Sequence, residues 1–422
     1  MPYKNVIYFL SILIGLLGAL IPNCVLSQTN SGKLLQLDTS KVEKYFLPQI
    51  DNDSLLRQAE SKPKNTPYIF AHTFEVEITN TKYGNWVETN NELYWTLRII
   101  SKSAYSLNFN LSNINFPSSS KLYFIQVLNG KYAGPYTIKQ VTPTSQLFIE
   151  PIPGHDIIIQ FVIPKGNKTD IDYFTLNKIG HDFRDFYGLI SNKRAKADVC
   201  QVDVNCNEGK DWQNEKRAIL KYSFTGFDGT ELCTGSLINN SENNGRPLFI
   251  TANHCVPNNS TAQSTIFYFN YENSACSSND SVFNIQTIKG AKLLATGKSK
   301  DKFDFSLLEL SSVPPLEYNP YYAGWTSSST APNNVTCIHH PRGDVKKISI
   351  DYDTLKTGSF TENGLKANSH WLVKKWDVGS TQGGSSGSPI FNENHQIVGL
   401  LSGGEATCAN PVEDYFSKFN LC

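Results

Sequence analysis

A serine set among glycines is the first feature of this sequence that could do chemistry. The stretch Gly383-Gly-Ser-Ser-Gly-Ser-Pro389 lies between two apolar runs that read as strands. Glycine accepts backbone conformations that other residues avoid, so this turn can expose the hydroxyl of Ser386 and aim backbone N–H groups at one point. Such a geometry suits acyl transfer, in which fixed donors meet the oxyanion that forms on a carbonyl. Taken alone, the motif is more often a flexible loop than a nucleophile.

A histidine and an aspartate in suitable surroundings precede this turn. His254 follows the apolar run that begins at Phe249, and Cys255 comes next, so a disulfide could hold a general base in place. Asp304 stands between two phenylalanines at the start of another apolar run, where a buried carboxylate needs a partner. An imidazole N–H is suitable, because the carboxylate then fixes its tautomer and stabilises the imidazolium. The alternatives are a structural histidine and an aspartate that caps a turn.

The order of the three residues strengthens the functional interpretation. His254, Asp304 and Ser386 follow one another along the chain, and His, Asp, Ser is the order of chymotrypsin-like peptidases. We therefore predict that they form a catalytic triad.

The net charge and the N-terminal segment together predict an exported chain that does not bind polyanions. The 38 basic and 38 acidic residues cancel, so no global field favours nucleic acid or an anionic membrane. The apolar run from Val6 to Ile21 is typical of a signal peptide, and Val25 and Ser27 are small enough for cleavage before Gln28. The alternative is a membrane anchor, for which the run is short. We predict a signal peptide over 1–27 and a secreted protein, extracellular or periplasmic, with no membrane attachment after cleavage.

The rest of the chain divides into regions rich in predicted strands. Residues 28–65 are polar, with a possible short helix near Leu55 to Lys62. Residues 66–164 alternate short apolar runs with turn residues, a pattern typical of an antiparallel β-sandwich of about a hundred residues. Residues 165–198 are charged and mixed, and are either a solvated linker or a processing region. Residues 199–422 show short strands and Gly- and Asn-rich turns that suit two packed β-barrels. The predicted fold is all-β, with a β-sandwich before a chymotrypsin-like double β-barrel.

The cysteines point to disulfides and not to a metal. None occurs from Gln28 to Val199, and eight follow. An even number crowded into one part of an exported chain is typical of disulfides, and no pair has zinc-site spacing. His339-His340 could suggest a metal site, but with no third ligand nearby in the sequence a structural pair is the better interpretation. We expect no metal and no cofactor.

The segment from Cys200 to Phe419 resembles the bacterial lysyl endopeptidases, a branch of the chymotrypsin clan. The similar stretches occur in the same order along the segment: Cys200 to Cys206, Cys233 to Asn239, Phe249 to Cys255, Tyr271 to Cys276, Asp304 to Leu310, Ile338 to Pro341, Gly384 to Pro389 and Leu401 to Gly404. The resemblance implies that Ser386 attacks the scissile carbonyl, that His254 is the general base, and that Asp304 orients its ring. It also implies an oxyanion hole made by the backbone N–H groups of Gly384 and Ser386.

The resemblance further implies a set of disulfides. The implied pairs are Cys200–Cys408, Cys206–Cys276 and Cys233–Cys255. Cys337 and Cys422 are then left over, and we predict that they form a fourth disulfide, Cys337–Cys422.

Specificity depends on where the acid of the S1 pocket stands. Trypsin-like enzymes carry it six residues before the nucleophile, where this chain has Ser380, and on that basis the pocket would be neutral. In the lysyl endopeptidases the acid follows the nucleophile, in an Asp-x-aromatic-small-basic segment that Asp414 to Lys418 matches. We expect Asp414 to bind substrate, together with Ser380, Ser402 and Gly404, and cleavage after Lys, with Arg left open. The alternative is a surface acid in a fraying tail.

Two serines depart from the patterns of related enzymes. Ser402 stands where the lysyl endopeptidases carry an imidazole packed on an indole, and where chymotrypsin-like enzymes keep a serine near the buried acid. Ser385 replaces the aspartate that binds the new N-terminus in trypsin-like zymogens, so that ion pair cannot form. We predict a maturation cut within Lys193 to Lys196. Activation then depends on removing an obstruction by residues 28–198, here called the leader, or on no cleavage at all.

Two classes of function fit these observations. The first is a secreted serine endopeptidase, a monomer that acts on protein or peptide substrates and leaves nucleic acid alone. The second is a catalytically silent binding protein on a peptidase scaffold, with the β-sandwich making the contacts. The intact triad and oxyanion turn favour the first class, within which a different specificity remains open.

Overall fold

The computed structural model describes residues 34, 38–63, 65–167, 170–188, 197–278, 286–297, 303–361 and 364–422. Two predictions fall outside these residues, namely the signal peptide over 1–27 and the maturation cut within Lys193 to Lys196. Among the described residues, no helix is long and apolar enough to cross a bilayer.

Strands dominate the described chain, as its many β-branched and aromatic residues favour. The helices are α1 (Asn52–Glu60) and α2 (Asn259–Ser264). The strands are β1 (Lys44–Phe46), β2 (Tyr68–Thr79), β3 (Asn85–Glu88), β4 (Glu92–Ile100), β5 (Ser106–Ser112), β6 (Lys121–Gln126), β7 (Tyr132–Tyr136), β8 (Leu147–Pro153), β9 (Asp156–Pro164), β10 (Thr175–Asp182), β11 (Val202–Asp203), β12 (Ile219–Thr225), β13 (Thr230–Ile238), β14 (Leu248–Thr251), β15 (Ile266–Phe269), β16 (Gln286–Lys289), β17 (Ala291–Thr296), β18 (Ser306–Leu310), β19 (Val335–His339), β20 (Lys347–Asp351), β21 (Lys356–Gly358), β22 (His370–Lys375), β23 (Pro389–Phe391), β24 (Ile397–Gly404) and β25 (Val412–Lys418).

The leader contains a β-sandwich. One sheet has the order β1-β4-β9-β6-β7, with β3 paired to β4, and the facing strands run β2-β10-β5-β8. Apolar side chains from both layers form one buried cluster that includes Trp95, Phe109 and Phe161. Helix α1 begins at the N-cap Asp51, whose side chain accepts hydrogen bonds from two following amides. This helix overlaps the one expected near Leu55 to Lys62.

The sandwich extends further along the chain than its sequence suggests. Strand β10 lies between β2 and β5, although it falls in the region 165–198 that was expected to be a linker or a processing region. The pattern hid this strand because polar residues fill part of its buried face. His181 bonds to Ser101 at 2.7 Å, and Ser106 donates to Asp182 at 2.7 Å. Hydrogen bonds thus replace the apolar contacts by which a buried strand is usually recognised.

The predicted peptidase domain, residues 199–422, consists of two β-barrels. The first contains β16-β15-β12-β13, with β14 pairing to β13 and β18, and β17 pairing to β18. The second has the order β11-β20-β19-β23-β24-β25-β22-β21. Each barrel encloses apolar residues, such as Phe249 and Leu308 in the first and Trp371 and Phe416 in the second. The predicted all-β, chymotrypsin-like double-barrel fold is confirmed.

Leader and peptidase domain share one sheet. Strand β2 pairs antiparallel with β13, so that Tyr68 lies opposite Leu232 and Ile69 opposite Glu231. This pairing joins the sandwich strands and the first barrel into a single 11-stranded sheet. A buried cluster that includes Phe186 of the leader packs across the contact. The leader is therefore built onto the peptidase domain.

Three of the four predicted disulfides are confirmed, and the fourth prediction is wrong. Cys200–Cys408, Cys206–Cys276 and Cys233–Cys255 are bonded, while Cys337 and Cys422 are free thiols.

The failure of the Cys337–Cys422 prediction has a simple physical reason. Cys337 is buried on β19, with its Sγ 3.3 Å from Ser388 Oγ, and burial raises the pKa of this thiol to about 12. Cys422 lies exposed beyond β25, where its Sγ is 3.4 Å from the carbonyl oxygen of Lys418. A core thiol and a surface thiol cannot reach bonding distance without unpacking the second barrel.

Candidate active site

The pairing of β14 with β18 brings His254 and Asp304 together. Thr251 at the end of β14 lies opposite Ser306 at the start of β18, and the two candidate residues stand just beyond these ends. His254 Nδ1 is 2.9 Å from one Asp304 oxygen, and the His254 backbone N–H donates to the other at 3.0 Å. Burial by itself would raise the pKa of Asp304, but the charge and hydrogen bonds of His254 lower it. An ionised carboxylate therefore holds the proton on Nδ1.

The opposite nitrogen of His254 is left as the acceptor. Once Nδ1 carries the proton of the neutral ring, Nε2 offers a lone pair. Nε2 is buried and has no hydrogen-bond partner in the described part of the chain. This is the protonation state that a general base requires.

The turn that carries Ser386 is held against the turn that carries His254. Gly387 has φ +79°, and a Cβ there would lie 2.1 Å from Thr251 Oγ1, so only glycine fits this approach. Thr234 on β13 donates its backbone N–H to the Ser386 carbonyl at 2.9 Å and its hydroxyl to the Gly384 carbonyl at 2.8 Å. Cys233, the preceding residue of β13, forms a disulfide with Cys255, which directly follows His254. One strand thus fixes both turns.

Two backbone N–H groups are available at the Ser386 turn. Gly384 has φ +91°, a conformation that turns its peptide group and that side chains disfavour. The neighbouring amides are used, since Ser385 donates to Gln382 and Gly387 donates to Leu401, each at 2.9 Å. Within the described residues, the amides of Gly384 and Ser386 have no acceptor. They can therefore serve an oxyanion.

His339 contacts the Ser386 turn through Ser385, and its ring is neutral. Ser349 donates its hydroxyl to the Ser380 carbonyl at 3.0 Å, so it can only accept from His339 Nε2, at 3.1 Å. His339 Nδ1 must then accept from Ser385 Oγ, 2.7 Å away. Burial lowers the pKa of His339 to about 3. Ser385, the position of the aspartate in trypsin-like zymogens, is committed to this interior contact.

Two groups in this area could suggest a metal site, His340 and the cluster of Cys233, His254 and Cys255. His340 uses Nδ1 to donate to the Asp344 carbonyl at 2.9 Å, and burial pushes its pKa well below the ordinary value. Cys233, His254 and Cys255 lie close enough to hold an ion, but the two sulfurs are joined in a disulfide. These groups are better explained as structural and catalytic.

Asp414 is buried on a strand of the second barrel. It lies on β25 opposite Gly404 of β24 and is 1% exposed, which excludes a place in a fraying tail. One carboxylate oxygen accepts from Trp376 Nε1 and from Thr381 Oγ1, each at 2.7 Å. A Cβ at position 404 would lie 2.4 Å from the other oxygen, so glycine is required there. The neighbour Glu413 is exposed and has φ +65°, whereas Asp414 is buried.

The other two predicted substrate-binding residues have different surroundings. Ser380 is buried, with its hydroxyl 3.4 Å from the Thr381 carbonyl, and it stands next to the residue that holds Asp414. Ser402 lies on β24, within hydrogen-bonding reach of Asp304 and 3.2 Å from His370 Nε2. Ser402 therefore lies near Asp304 and His370.

Sequence reasoning missed the partners of these groups. Trp376 and Thr381 hold Asp414, and His370 contacts Ser402, but each contact joins residues more than 30 positions apart. One signal was present, namely a lone tryptophan within a charged run, Lys374-Lys-Trp-Asp377. A buried indole in such a run needs an acceptor for its N–H.

The leader packs against β24 and against the Ser386 turn. A Cβ at Gly403, on β24, would lie 3.3 Å from the Cβ of Asn65, and one at Gly383 would lie 2.9 Å from the ring of Tyr68. Arg184 fixes Tyr68, with its guanidinium 4.3 Å from the ring centroid. Asn65, at the end of the polar region 28–65, thus lies next to β24.

Known proteins resemble the chain over the region just described. The family model "Lysyl endopeptidase, C-terminal domain" matches residues 195–417. A lysyl endopeptidase of Pseudomonas aeruginosa is 28% identical over 296 residues, which are 64% of this chain and 60% of that protein. Secreted RxLR effector protein 73 of Plasmopara viticola is 28% identical over 222 residues, 49% of this chain and 51% of that protein. The chain thus spans between half and two thirds of the length of these relatives.

Solved structures add distant similarities. Protease Anisep from Arthrobacter nicotinovorans has a TM-score of 0.37 at 16% identity, covering 52% of this chain and 93% of that chain. The thermostable serine protease AL20 has a TM-score of 0.36 at 14% identity, covering 49% and 93%. The family model spans more than half of the sequence and contains the His254, Asp304 and Ser386 turns. This chain belongs to the lysyl endopeptidase family.

Proposed function

We propose that this chain is the precursor of a secreted serine endopeptidase that cleaves peptide bonds after lysine through an acyl-enzyme. The observation that carries the proposal is the joint attachment of the Ser386 and His254 turns to β13, with Asp304 bonded to the base. A silent binding protein would not need a buried carboxylate bonded to an imidazole, or two available amides beside a serine.

The mechanism follows from the protonation states of these groups. Ser386 Oγ attacks the substrate carbonyl carbon as its proton moves to His254 Nε2, and Asp304 stabilises the imidazolium that forms. The amides of Gly384 and Ser386 bind the oxyanion of the tetrahedral intermediate. His254 then gives the proton to the leaving amine as the C–N bond breaks and the acyl-enzyme forms. Water repeats the sequence on the acyl-enzyme and releases Ser386.

The preference for lysine rests on Asp414. Its carboxylate is buried and oriented by two neutral donors, Trp376 and Thr381. A substrate ammonium placed there gains a carboxylate partner in a buried site, whereas an apolar side chain gains none. Arginine remains open as a second choice, because both side chains are cationic.

The leader supports an inactive precursor. Substrate must lie along Ser402 to Gly404 of β24 and reach the oxyanion turn, and Asn65 and Tyr68 occupy space beside both places. Lys62, just before them, forms an ion pair with Asp228 at 2.6 Å. Cleavage between leader and peptidase domain would free this segment and open the cleft.

Labelling by a fluorophosphonate tests the proposed function. The chain from residue 197 onward should form an adduct at Ser386, located by mass spectrometry. A precursor made uncleavable by Lys193→Gln, Arg194→Gln and Lys196→Gln should label at least about tenfold more slowly, since the leader packs against the Ser386 turn. Digestion of a mixed peptide library by the mature chain then identifies the cleaved bonds. Folded mature protein without an adduct would favour the binding-protein alternative, and equal labelling of both forms would remove the leader as an obstruction.

Release of the severed leader should depend on pH through Glu231. This residue is buried on β13 opposite Ile69, and burial, together with Asp228, raises its pKa to about 7 against the opposing effects of Lys62 and His254. When the leader dissociates, Glu231 is exposed to water and its pKa returns toward the ordinary value. Binding of the leader is therefore coupled to the uptake of a proton by Glu231. Binding is therefore strongest at low pH, weakens by up to about tenfold per pH unit between the two pKa values, and is constant above them.

The measurement uses the Ser386→Ala precursor cut in trans, so that both pieces fold together. Dissociation of the leader from this nicked complex, followed by size-exclusion chromatography from pH 5 to 8, should increase with pH. The same complex with Glu231→Gln should lose this dependence. An unchanged dependence in Glu231→Gln would contradict the assignment.

A further inference from the structure

A buried imidazole that the proposed mechanism does not use lies behind the triad. His370, at the start of β22, is 0% exposed, and its Nε2 is 3.2 Å from Ser402 Oγ. Ser402 is also within hydrogen-bonding reach of Asp304. A continuous line of polar side chains therefore runs from His254 through Asp304 and Ser402 to His370.

The contact between His370 Nδ1 and Ser369 fixes the tautomer of the His370 ring. Its Nδ1 is 3.0 Å from Ser369 Oγ, and the Ser369 hydroxyl donates to the Lys366 carbonyl at 2.6 Å. A hydroxyl has one proton and a carbonyl can only accept, so Ser369 Oγ must accept from the ring. Nδ1 of His370 therefore carries the proton, and Nε2 of the neutral ring is an acceptor.

Ser402 then has one proton and two acceptors. One acceptor is Nε2 of His370, and the other is the carboxylate of Asp304. Burial lowers the pKa of His370 to about 4, with Asp304 acting to raise it and Lys418 to lower it. Phe360 packs edge-on against the ring, with the centroids 5.9 Å apart. His370 is consequently neutral near pH 7, and the competition for the Ser402 proton persists there.

We propose that His370 is a positioning residue, which draws the Ser402 hydrogen bond away from Asp304 and so leaves that carboxylate a stronger acceptor for His254. A carboxylate that accepts fewer hydrogen bonds is more basic and holds an adjacent imidazolium more firmly. Through Ser402, His370 thus strengthens the pairing of Asp304 with the His254 imidazolium. The inference rests on the proposed function, because it assigns a role within the same triad.

The decisive experiment measures the titration of His254 in the mature chain, by the downfield proton resonance of its Nδ1–H, alongside the acidic limb of kcat/KM. His370→Phe removes the acceptor and releases Ser402 to Asp304, so both midpoints should move to lower pH by about 0.5 to 1 unit. His370→Gln can still accept from Ser402 through its amide oxygen, and should restore most of the shift.

Ser402→Ala separates positioning from a merely structural effect. In this background His370→Phe should produce no further shift, because no proton remains to be redistributed. Ser402→Ala alone should leave the His254 midpoint within about 0.3 units of wild type, because in wild type the proton is already directed to His370. An upward shift in Ser402→Ala, or a His370→Phe shift that persists without Ser402, would overturn the inference. Absence of hydrolysis by the wild-type mature chain would instead refute the proposed function, and the resonance can still be read in that case.

Discussion

Ser386→Ala should lower kcat/KM for peptide hydrolysis by about four orders of magnitude or more in the mature protein. The substitution removes the oxygen that forms the acyl-enzyme, and His254 then has no hydroxyl to deprotonate. The available amides of Gly384 and residue 386 remain, so a small rate above that of water should persist. The measurement is hydrolysis of a lysyl amide substrate, with the concentration of folded protein determined independently.

Ser385→Ala is the matched control, since it changes the neighbouring serine of the same turn. Ser385 faces His339, so its loss should cost about 1 to 3 kcal/mol of stability through an unsatisfied imidazole. Its effect on kcat/KM should stay within about tenfold, because it contacts no reacting atom. A Ser386→Ala protein that retains a tenth of the wild-type rate would disprove the assigned nucleophile.

Asp414→Asn should lower kcat/KM for lysyl substrates by about 10² to 10³, while leucyl substrates change by only a few fold. The amide has nearly the same shape and can still accept from Trp376 and Thr381, so the loss reports the charge. Removing one partner of a buried ion pair leaves the other uncompensated, which costs about 3 to 5 kcal/mol. Matched Lys, Arg and Leu substrates measure this selectivity, and the Arg series shows whether arginine also uses the site.

Glu413→Gln serves as the control for charge. This acid is adjacent in the sequence but exposed, with φ +65°, and its replacement should leave the lysine preference unchanged. Lysine cleavage that falls equally in Glu413→Gln, or that survives in Asp414→Asn, would place the S1 acid elsewhere.

The sequence revealed most about residues whose local surroundings are part of their chemistry. The Ser386 turn needs its glycines for geometry, as the φ of +91° at Gly384 and +79° at Gly387 illustrate, so a sharp turn around Ser386 can be predicted from the sequence itself. A disulfide that holds the His254 turn was likewise predicted from the adjacent Cys255, and the resemblance supplied the pairing of Cys255 with Cys233. The barrels followed from short strands between turn residues.

Other features could not be predicted because they depend on contacts between distant residues. Pairing Cys337 with Cys422 was reasoning by elimination, which says nothing about whether a cysteine faces a core or the solvent. Strand β10 was not predicted because its buried residues His181 and Asp182 are polar and are satisfied by hydrogen bonds. The segment from Asn65 to Tyr68 packs against β24 and the Ser386 turn only because β2 pairs with β13, a partner about 160 residues later in the chain.

The sheet shared by leader and peptidase domain also has a consequence for how the enzyme acquires its structure. The sandwich leaves the ribosome first and can fold before the barrels. Strand β2 is then an already folded edge strand with which β13 can pair. Barrels built from distant strand pairings are otherwise slow to form. If the leader is removed, as we propose, the backbone of Thr230 to Leu232 loses that partner, and a molecule that unfolds must refold without it. The working life of the mature enzyme is then governed by its rate of unfolding.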